Sequence, residues 1–158
     1  MEYLYNVPII TIRREDCQKE LRERFQKPLV LEVYDGLNLT IGEIQTRVKR
    51  GKFSGVCLDT EHLRGLGPWE KVLEELFPIT KVVNFNPKDA HEFRSVLSGN
   101  YNSQIGRIMR KIKESGYNKL VTVKLDGRIV KEVFGLSALN PFKLQKHHRA
   151  VVEFMKNV

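Results

Sequence analysis

The 158-residue chain has few cysteines, no low-complexity segment and no long apolar run. Cys17 and Cys57 are its only cysteines, the first on the apolar side of a predicted helix and the second within an apolar strand-like segment. Cysteines placed in this way are typical of small buried hydrophobic residues, and their number excludes a disulfide-rich fold. Because no run of eighteen apolar residues exists, the sequence predicts no membrane span and no membrane partner.

Other absences limit the cofactors and the mechanism. The opening segment MEYLYNVPIITIRRED has no basic leader followed by an apolar stretch, so the sequence predicts a cytoplasmic location. The segment GLGPWE (65–70) matches neither common phosphate-binding glycine loop, and no nucleotide cofactor is predicted. The serines lack the flanking pattern of a nucleophile elbow, so no catalytic nucleophile is assigned.

Positive charge is in excess, with 27 Lys and Arg against 19 Asp and Glu and a formal net charge of +8. This surplus favours a polyanionic partner, and nucleic acid is the partner we predict. Basic side chains at a helix end or along one helix face hold backbone phosphates without reading the base sequence. A solvated outer helix face is the alternative for the stripe at 107–113. The predicted nucleic-acid-binding residues are Lys49, Arg50, Lys52, Arg107, Arg110, Lys111, Lys113 and Lys124.

Strand-like and helix-like segments alternate along the chain. The predicted strands cover 7–12, 28–34, 54–59, 80–86 and 119–125, with a short edge strand over 128–134. The predicted helices cover 15–26, a segment after Thr40, a segment opened by Gly67-Pro68, and 89–98, 101–115 and 143–157. Thr40 and Glu43 have the spacing of a capping box, and Pro68 is predicted at the first position of its helix. The inner side chains predicted for the Pro68 helix are Trp69, Val72, Leu73 and Leu76, and those for 101–115 are Ile105, Ile108, Met109 and Ile112. Strands that are apolar on both faces, alternating with helices, predict an α/β fold with a parallel sheet in a single domain, 1–158.

Two architectures fit this alternation, an open doubly wound sheet and a partial TIM-barrel-like sheet. A complete barrel needs about 250 residues, which is more than this chain has. In both architectures ligands bind beyond the carboxyl ends of the strands. A partial barrel leaves sheet edges uncovered, so we expect a homodimer or a partner subunit.

Polar residues collect at these predicted strand ends. Glu32 interrupts the apolar segment PLVLEVY, and Asp59 ends the segment GVCLD three residues before His62. Carboxylates and an imidazole that meet at a sheet edge suit zinc or manganese. The alternatives are that Asp59 caps a short helix and that Glu32 pairs with Lys124.

Asp89 and His91 form a second pair of an acid and an imidazole. These residues are either further metal ligands or the start of a helix. In the second interpretation Asp89 is the N-cap, because Glu92 follows three positions later.

The segments LVLEVYDG, GVCLDTEHL, VVNFNPKDAH and LVTVKLDG follow one another in an order that resembles the later half of the xylose-isomerase-like barrels, especially the endonuclease IV group of apurinic/apyrimidinic endonucleases. The resemblance covers roughly residues 28 to 126, and GVCLDTEH is its specific part. It implies a metal-dependent cut of the phosphodiester beside an abasic site. The metal ligands it implies are Glu32, Asp59, His62, Asp89 and His91.

Two departures reduce the implied trinuclear zinc centre to one metal or none. Asn84 stands where the family has a histidine, and Lys124 stands where it has a final glutamate. An amide oxygen is a weak zinc ligand, and a protonated lysine cannot coordinate.

The sequence therefore predicts a nucleic-acid-binding protein that acts as a divalent-metal-dependent phosphodiesterase, an endonuclease-like hydrolase. A catalytically degenerate barrel that serves as a binding or scaffold subunit is one alternative. A sugar-phosphate isomerase-like enzyme is another, because the same family includes aldose–ketose isomerases. Whether the chain is an enzyme stays open at this point.

Overall fold

The computed structural model describes residues 9–12, 26–34, 36–65 and 68–134. The chain forms two compact units, Met1–Asn84 and Phe85–Val158. The helix predicted over 143–157 lies outside the described residues, as does Cys17, and of the helix predicted over 15–26 only Gln26 is described, where it is not helical. The single domain predicted from the chain length stays a prediction beside this division.

Four parallel strands form the sheet of the first unit. They are β1 (Ile10–Ile12), β2 (Leu29–Val33), β3 (Gly55–Asp59) and β4 (Thr80–Phe85), which ends on the first residue of the second unit. Each strand pairs in parallel with the next, so the predicted α/β class with a parallel sheet is confirmed. The order follows the chain without reversal, as in successive units of a barrel, whereas a doubly wound sheet reverses its order at a switch point.

Strands β2 and β3 are buried along their whole length, as expected for a parallel sheet covered on both faces. On one face Val30, Cys57 and Val82 form a buried cluster against Ile9. Cys57 is a free, fully buried cysteine, as predicted. Glu32 is the register partner of Cys57, so its side chain emerges on this same face.

Helix α1 (Ile41–Lys49) begins with the capping box that the sequence predicts. The Thr40 N–H donates to Glu43 Oε2 at 2.7 Å, and the Glu43 N–H donates to Thr40 Oγ1 at 3.2 Å. The backbone bond from Thr40 and then its hydroxyl lower the pKa of Glu43 below its ordinary value. The helix start is therefore encoded locally.

Two more helices, α2 (Thr60–Gly65) and α3 (Trp69–Leu76), connect β3 to a 3₁₀ turn that leads into β4. Pro68 takes the N-cap position of α3 rather than the first helical position that we predict. The Gln45 amide donates to the Glu75 carbonyl at 3.0 Å and ties α1 to α3. The predicted inner side chains of α3 are buried: Trp69, Val72, Leu73 and Leu76.

The second unit contains α4 (Ala90–Leu97), α5 (Gln104–Glu114), β5 (Leu120–Val123) and α6 (Gly127–Phe134). Helix α4 packs against both α5 and α6. The Phe85 and Phe93 rings stack with their centroids 6.0 Å apart, and the Arg94 guanidinium donates to the Glu132 carbonyl at 2.8 Å. The inner stripe predicted for α5 is confirmed, because its members are all buried: Ile105, Ile108, Met109 and Ile112.

The edge strand predicted over 128–134 is wrong, since these residues belong to α6. Asp126 Oδ1 accepts the backbone N–H groups of Arg128 and Ile129 at 2.8 Å each, which starts a helix. These bonds, with Ile129 contributing most, lower the pKa of Asp126. The β-branched residues favour a strand locally, but the cap and the burial of Ile129 favour the helix.

Among the helices that the structure describes, none is both long enough and apolar enough to cross a membrane.

Candidate metal centre

The candidate metal centre lies in the first unit, at the carboxyl ends of β2 and β3. Glu32 pairs in register with Cys57, and Asp59 lies two residues beyond Cys57. Because side chains alternate along a strand, Glu32 and Asp59 emerge on one face of the sheet. His62 follows in α2, less than one helical turn after β3 ends.

These three side chains converge as the sequence predicts. One ligand atom from each of Glu32, Asp59 and His62 lies within 4.8 Å of those from the other two. Zinc with bonds of about 2.1 Å holds tetrahedral ligand atoms about 3.4 Å apart, so small rotamer changes would close the site around an ion. Two carboxylates and one imidazole suit zinc or manganese.

Both carboxylates of this group are withdrawn from water. Glu32 is 7% exposed and Asp59 is 0% exposed, while His62 is half-buried. Each of them also has polar contacts within the protein. Two buried carboxylates in close proximity repel one another, and a divalent cation between them would offset that cost. Their placement is therefore electrostatically suited to a cation.

Asp59 also starts the helix that carries His62. Its Oδ1 accepts the Glu61 N–H at 3.0 Å, so the helix-capping alternative is confirmed as one role of this side chain. A carboxylate has a second oxygen, and capping does not conflict with binding a metal. By fixing the first turn of α2, Asp59 also fixes the position from which His62 extends.

The Tyr34 ring contacts the His62 ring. The two ring centroids lie 6.0 Å apart with an interplanar angle of 63°, an edge-to-face contact. Tyr34 is half-buried and follows directly after β2. Tyr34 was not among the predicted site residues, although its position at a strand end was the available signal.

A bulge in β4 places Asn84 beside the site. Val56 pairs with Thr80, but Cys57 pairs with Val82, so Lys81 is an extra residue in β4. The shift makes Asn84 the register partner of Asp59 and puts both side chains on one face. Without the extra residue Asn84 would emerge on the opposite face, because a slip of one residue exchanges the two faces of a strand.

Asp89 and His91 belong to the second unit. Asp89 is the N-cap of α4, and its Oδ1 accepts the Glu92 N–H at 2.7 Å, as in the helix-start interpretation. Lys88 Nζ lies 4.0 Å from Asp89 Oδ2, and His91 is an exposed residue of the first turn. A metal-binding role for these two residues stays a prediction.

Every predicted nucleic-acid-binding residue is exposed. In the second unit, Lys124 follows β5, and its backbone N–H donates to the Phe85 carbonyl at 2.8 Å. In the first unit, an open groove of about 540 Å³ runs along α1 and is lined by Arg47 together with Arg50 and Lys52. Arg47 was not among the predicted binding residues, although its spacing of three residues from Arg50 places both on one helix face.

Comparison of this chain with family models, curated proteins and solved structures finds no match.

Proposed function

We propose that this chain is a divalent-metal-dependent phosphodiesterase that acts on nucleic acid. The observation that carries the proposal is the convergence of Glu32, Asp59 and His62 at the carboxyl ends of parallel strands. Ligands bind at this edge in α/β sheets. The resemblance of GVCLDTEH to the endonuclease IV group supports the same chemistry, and the net charge of +8 supports a phosphate polymer as substrate.

The number of ligands favours a catalytic site over a structural one. Structural zinc sites use four protein ligands, whereas catalytic sites use three and keep one position for water or substrate. When bound, a divalent ion supplies Lewis acidity toward a phosphate oxygen and lowers the pKa of a bound water. In this chain, Glu32, Asp59 and His62 would hold the ion. Tyr34 would orient the His62 ring, and Asn84 would face the site from β4.

A binding or scaffold subunit without catalysis is the second candidate. Asn84 and Lys124 replace two ligands of the family that the chain resembles, and the described Lys124 side chain is exposed. A chain of this kind would bind nucleic acid and would cut it neither with nor without added metal.

Metal content and cleavage measured on one preparation would test the proposal. After reconstitution with zinc or manganese and dialysis, we expect about one ion per chain by elemental analysis. We also expect metal-dependent cleavage of a labelled oligonucleotide with one abasic site. A chain without stoichiometric metal would refute the hydrolase, and a metal-bound chain that does not cleave any phosphodiester would support the scaffold.

His62→Ala and His91→Ala form a matched pair of variants. His62→Ala removes an imidazole of the converging group and should lose both the ion and the cleavage. His91→Ala removes an exposed imidazole from the other unit and should keep both. Loss of the ion in both variants would instead support the larger ligand set that includes Asp89 and His91.

A further inference from the structure

The surplus of positive charge lies entirely in one of the two units. Met1–Asn84 contains thirteen Lys and Arg and thirteen Asp and Glu, whereas Phe85–Val158 contains fourteen and six. The net charge of +8 therefore belongs to the second unit, while the candidate metal centre belongs to the neutral first unit. A surplus of basic residues concentrated in one unit favours binding of a polyanion by that unit.

Within the second unit, α5 presents a compact basic face. Arg107, Arg110 and Lys111 are exposed and occupy positions i, i+3 and i+4, so their side chains are neighbours on one side of the helix. Lys113 flanks this group, and Glu114 is the only acidic residue of α5. The opposite side of the helix is buried, which holds the basic face outward.

A tyrosine stands at each end of α5, and each has a cation over its ring. The guanidinium carbon of Arg110 lies 5.3 Å from the Tyr101 ring centroid, and Lys119 Nζ lies 6.0 Å from the Tyr117 centroid. Both tyrosines are half-buried, so part of each is accessible. Proteins that bind single strands combine such aromatic groups with a basic surface.

Gly106 allows the first of these contacts. A Cβ at this position would lie 2.7 Å from the Tyr101 Cα, so only glycine lets Tyr101 pack this closely against α5. The close approach places the Tyr101 ring beneath Arg110. The positions of the arginine and the tyrosine are thus set by the packing of the unit.

We propose that the exposed face of α5, flanked by Tyr101 and Tyr117, binds single-stranded nucleic acid. Arg107, Arg110 and Lys111 contact successive phosphates, and the tyrosines supply surface on which bases stack. The inference deepens the proposed function by naming the surface that holds the polymer, and it rests on that function for the choice of nucleic acid as ligand. Because binding by this face needs no metal, it is measured with EDTA present.

Fluorescence anisotropy with a labelled single-stranded 20-nucleotide DNA across a salt series tests the proposal. Arg107→Glu/Arg110→Glu should weaken binding by about 20-fold at low salt and reduce the slope of log K against log salt by about 1.4, or about 0.7 for each phosphate that is no longer neutralised. Arg107→Gln/Arg110→Gln removes the charges without reversing them and should show the same change of slope. The matched control is Lys71→Glu/Lys81→Glu, which changes the charge equally at exposed positions of the first unit and should alter affinity by less than about 3-fold.

The outcomes separate this surface from the metal centre. Equal weakening by the α5 variants and the control would overturn the proposal, because net charge alone would then explain binding. An unbound wild type, or a wild type that prefers a duplex of the same sequence, would overturn it as well. Asp59→Asn should bind the single strand as the wild type does, so failure of the metal-dependent hydrolase leaves this result unchanged.

Discussion

The two units of this protein both bury carboxylates, but they place them in different surroundings. In the second unit, Glu92 is 3% exposed and its Oε2 accepts the Lys88 N–H at 2.9 Å, at the start of the helix to which it belongs. In the first unit, Glu32 and Asp59 come from two different strands and approach the same imidazole. Local hydrogen bonding at a helix start explains the burial of Glu92. Glu32 and Asp59 instead form, with His62, a group drawn from separate elements that could hold a metal ion.

Helix caps provide the same contrast. Asp59 and Asp89 each follow a strand and accept a backbone N–H in the first turn of the next helix. Only Asp59 also belongs to the converging group in the part of the chain that the structure describes. A cap motif in the sequence therefore does not distinguish an aspartate that only caps a helix from one that also belongs to a candidate metal centre.

The largest expected effect separates these two aspartates. Zinc at about 100 times its Kd should stabilise the wild type by about 2.7 kcal/mol, measured as a rise in Tm. Asp59→Asn should abolish this rise, because an amide is a poor zinc ligand. Asp89→Asn should keep it, and both variants retain an N-cap acceptor. If zinc raised the Tm of Asp59→Asn as much as that of the wild type, Asp59 would be a helix cap that does not bind the ion, like Asp89.

A smaller effect compares a glycine in one helix of each unit. Gly106→Ala in α5 places a Cβ 2.7 Å from the Tyr101 Cα and should lower the free energy of unfolding by about 1–3 kcal/mol. In Gly42→Ala of α1 the added Cβ has no atom within 4 Å, so this variant should raise the free energy of unfolding by up to about 1 kcal/mol. Urea denaturation of the two variants measures both changes, and stabilisation by Gly106→Ala would contradict the close packing of Tyr101.

The smallest expected effect is a pH dependence that arises from two exposed helix starts. Hydrogen bonds lower the pKa of Glu43 and of Asp126 from ordinary values of 4.5 and 3.8. Because both values are lowered in the folded state, their stabilising contributions are present above the ordinary values and are lost as the pH falls through the folded ones. The Tm of Glu43→Gln and that of Asp126→Asn should therefore fall less than the wild-type Tm as the pH is lowered from roughly 6 to 3. Unchanged acid sensitivity in both variants would mean that these caps are not formed in solution.

Features determined by neighbouring residues were the most predictable. The capping box of Thr40 and Glu43 was predicted correctly, because both partners lie within one helical turn. The strand predicted over 128–134 was wrong because its β-branched residues favour a strand locally, whereas Asp126, just before this segment, caps the helix that forms there. Local patterns were thus informative where every local signal agreed.

The convergence of Glu32, Asp59 and His62 was predictable from a general rule rather than from local pattern. Parallel strands place their carboxyl ends at one edge, so polar residues that follow apolar strands meet there. The position of Asn84 was not predictable in this way. The extra residue in β4 reverses the faces of the strand beyond Lys81, and an alternating sequence pattern does not reveal a bulge.

The sequence by itself determined the alternation of strands and helices, the caps and the total charge, because each depends on residue type and short-range spacing. Only the tertiary structure decided which strands are neighbours, in what register they pair, and which side chains then share a face. Those facts depend on hydrogen bonds between segments far apart in the chain, and a shift of one residue exchanges a buried candidate ligand for an apolar side chain. The same holds for the basic face of α5, where packing at Gly106 brings a loop tyrosine beneath a helical arginine.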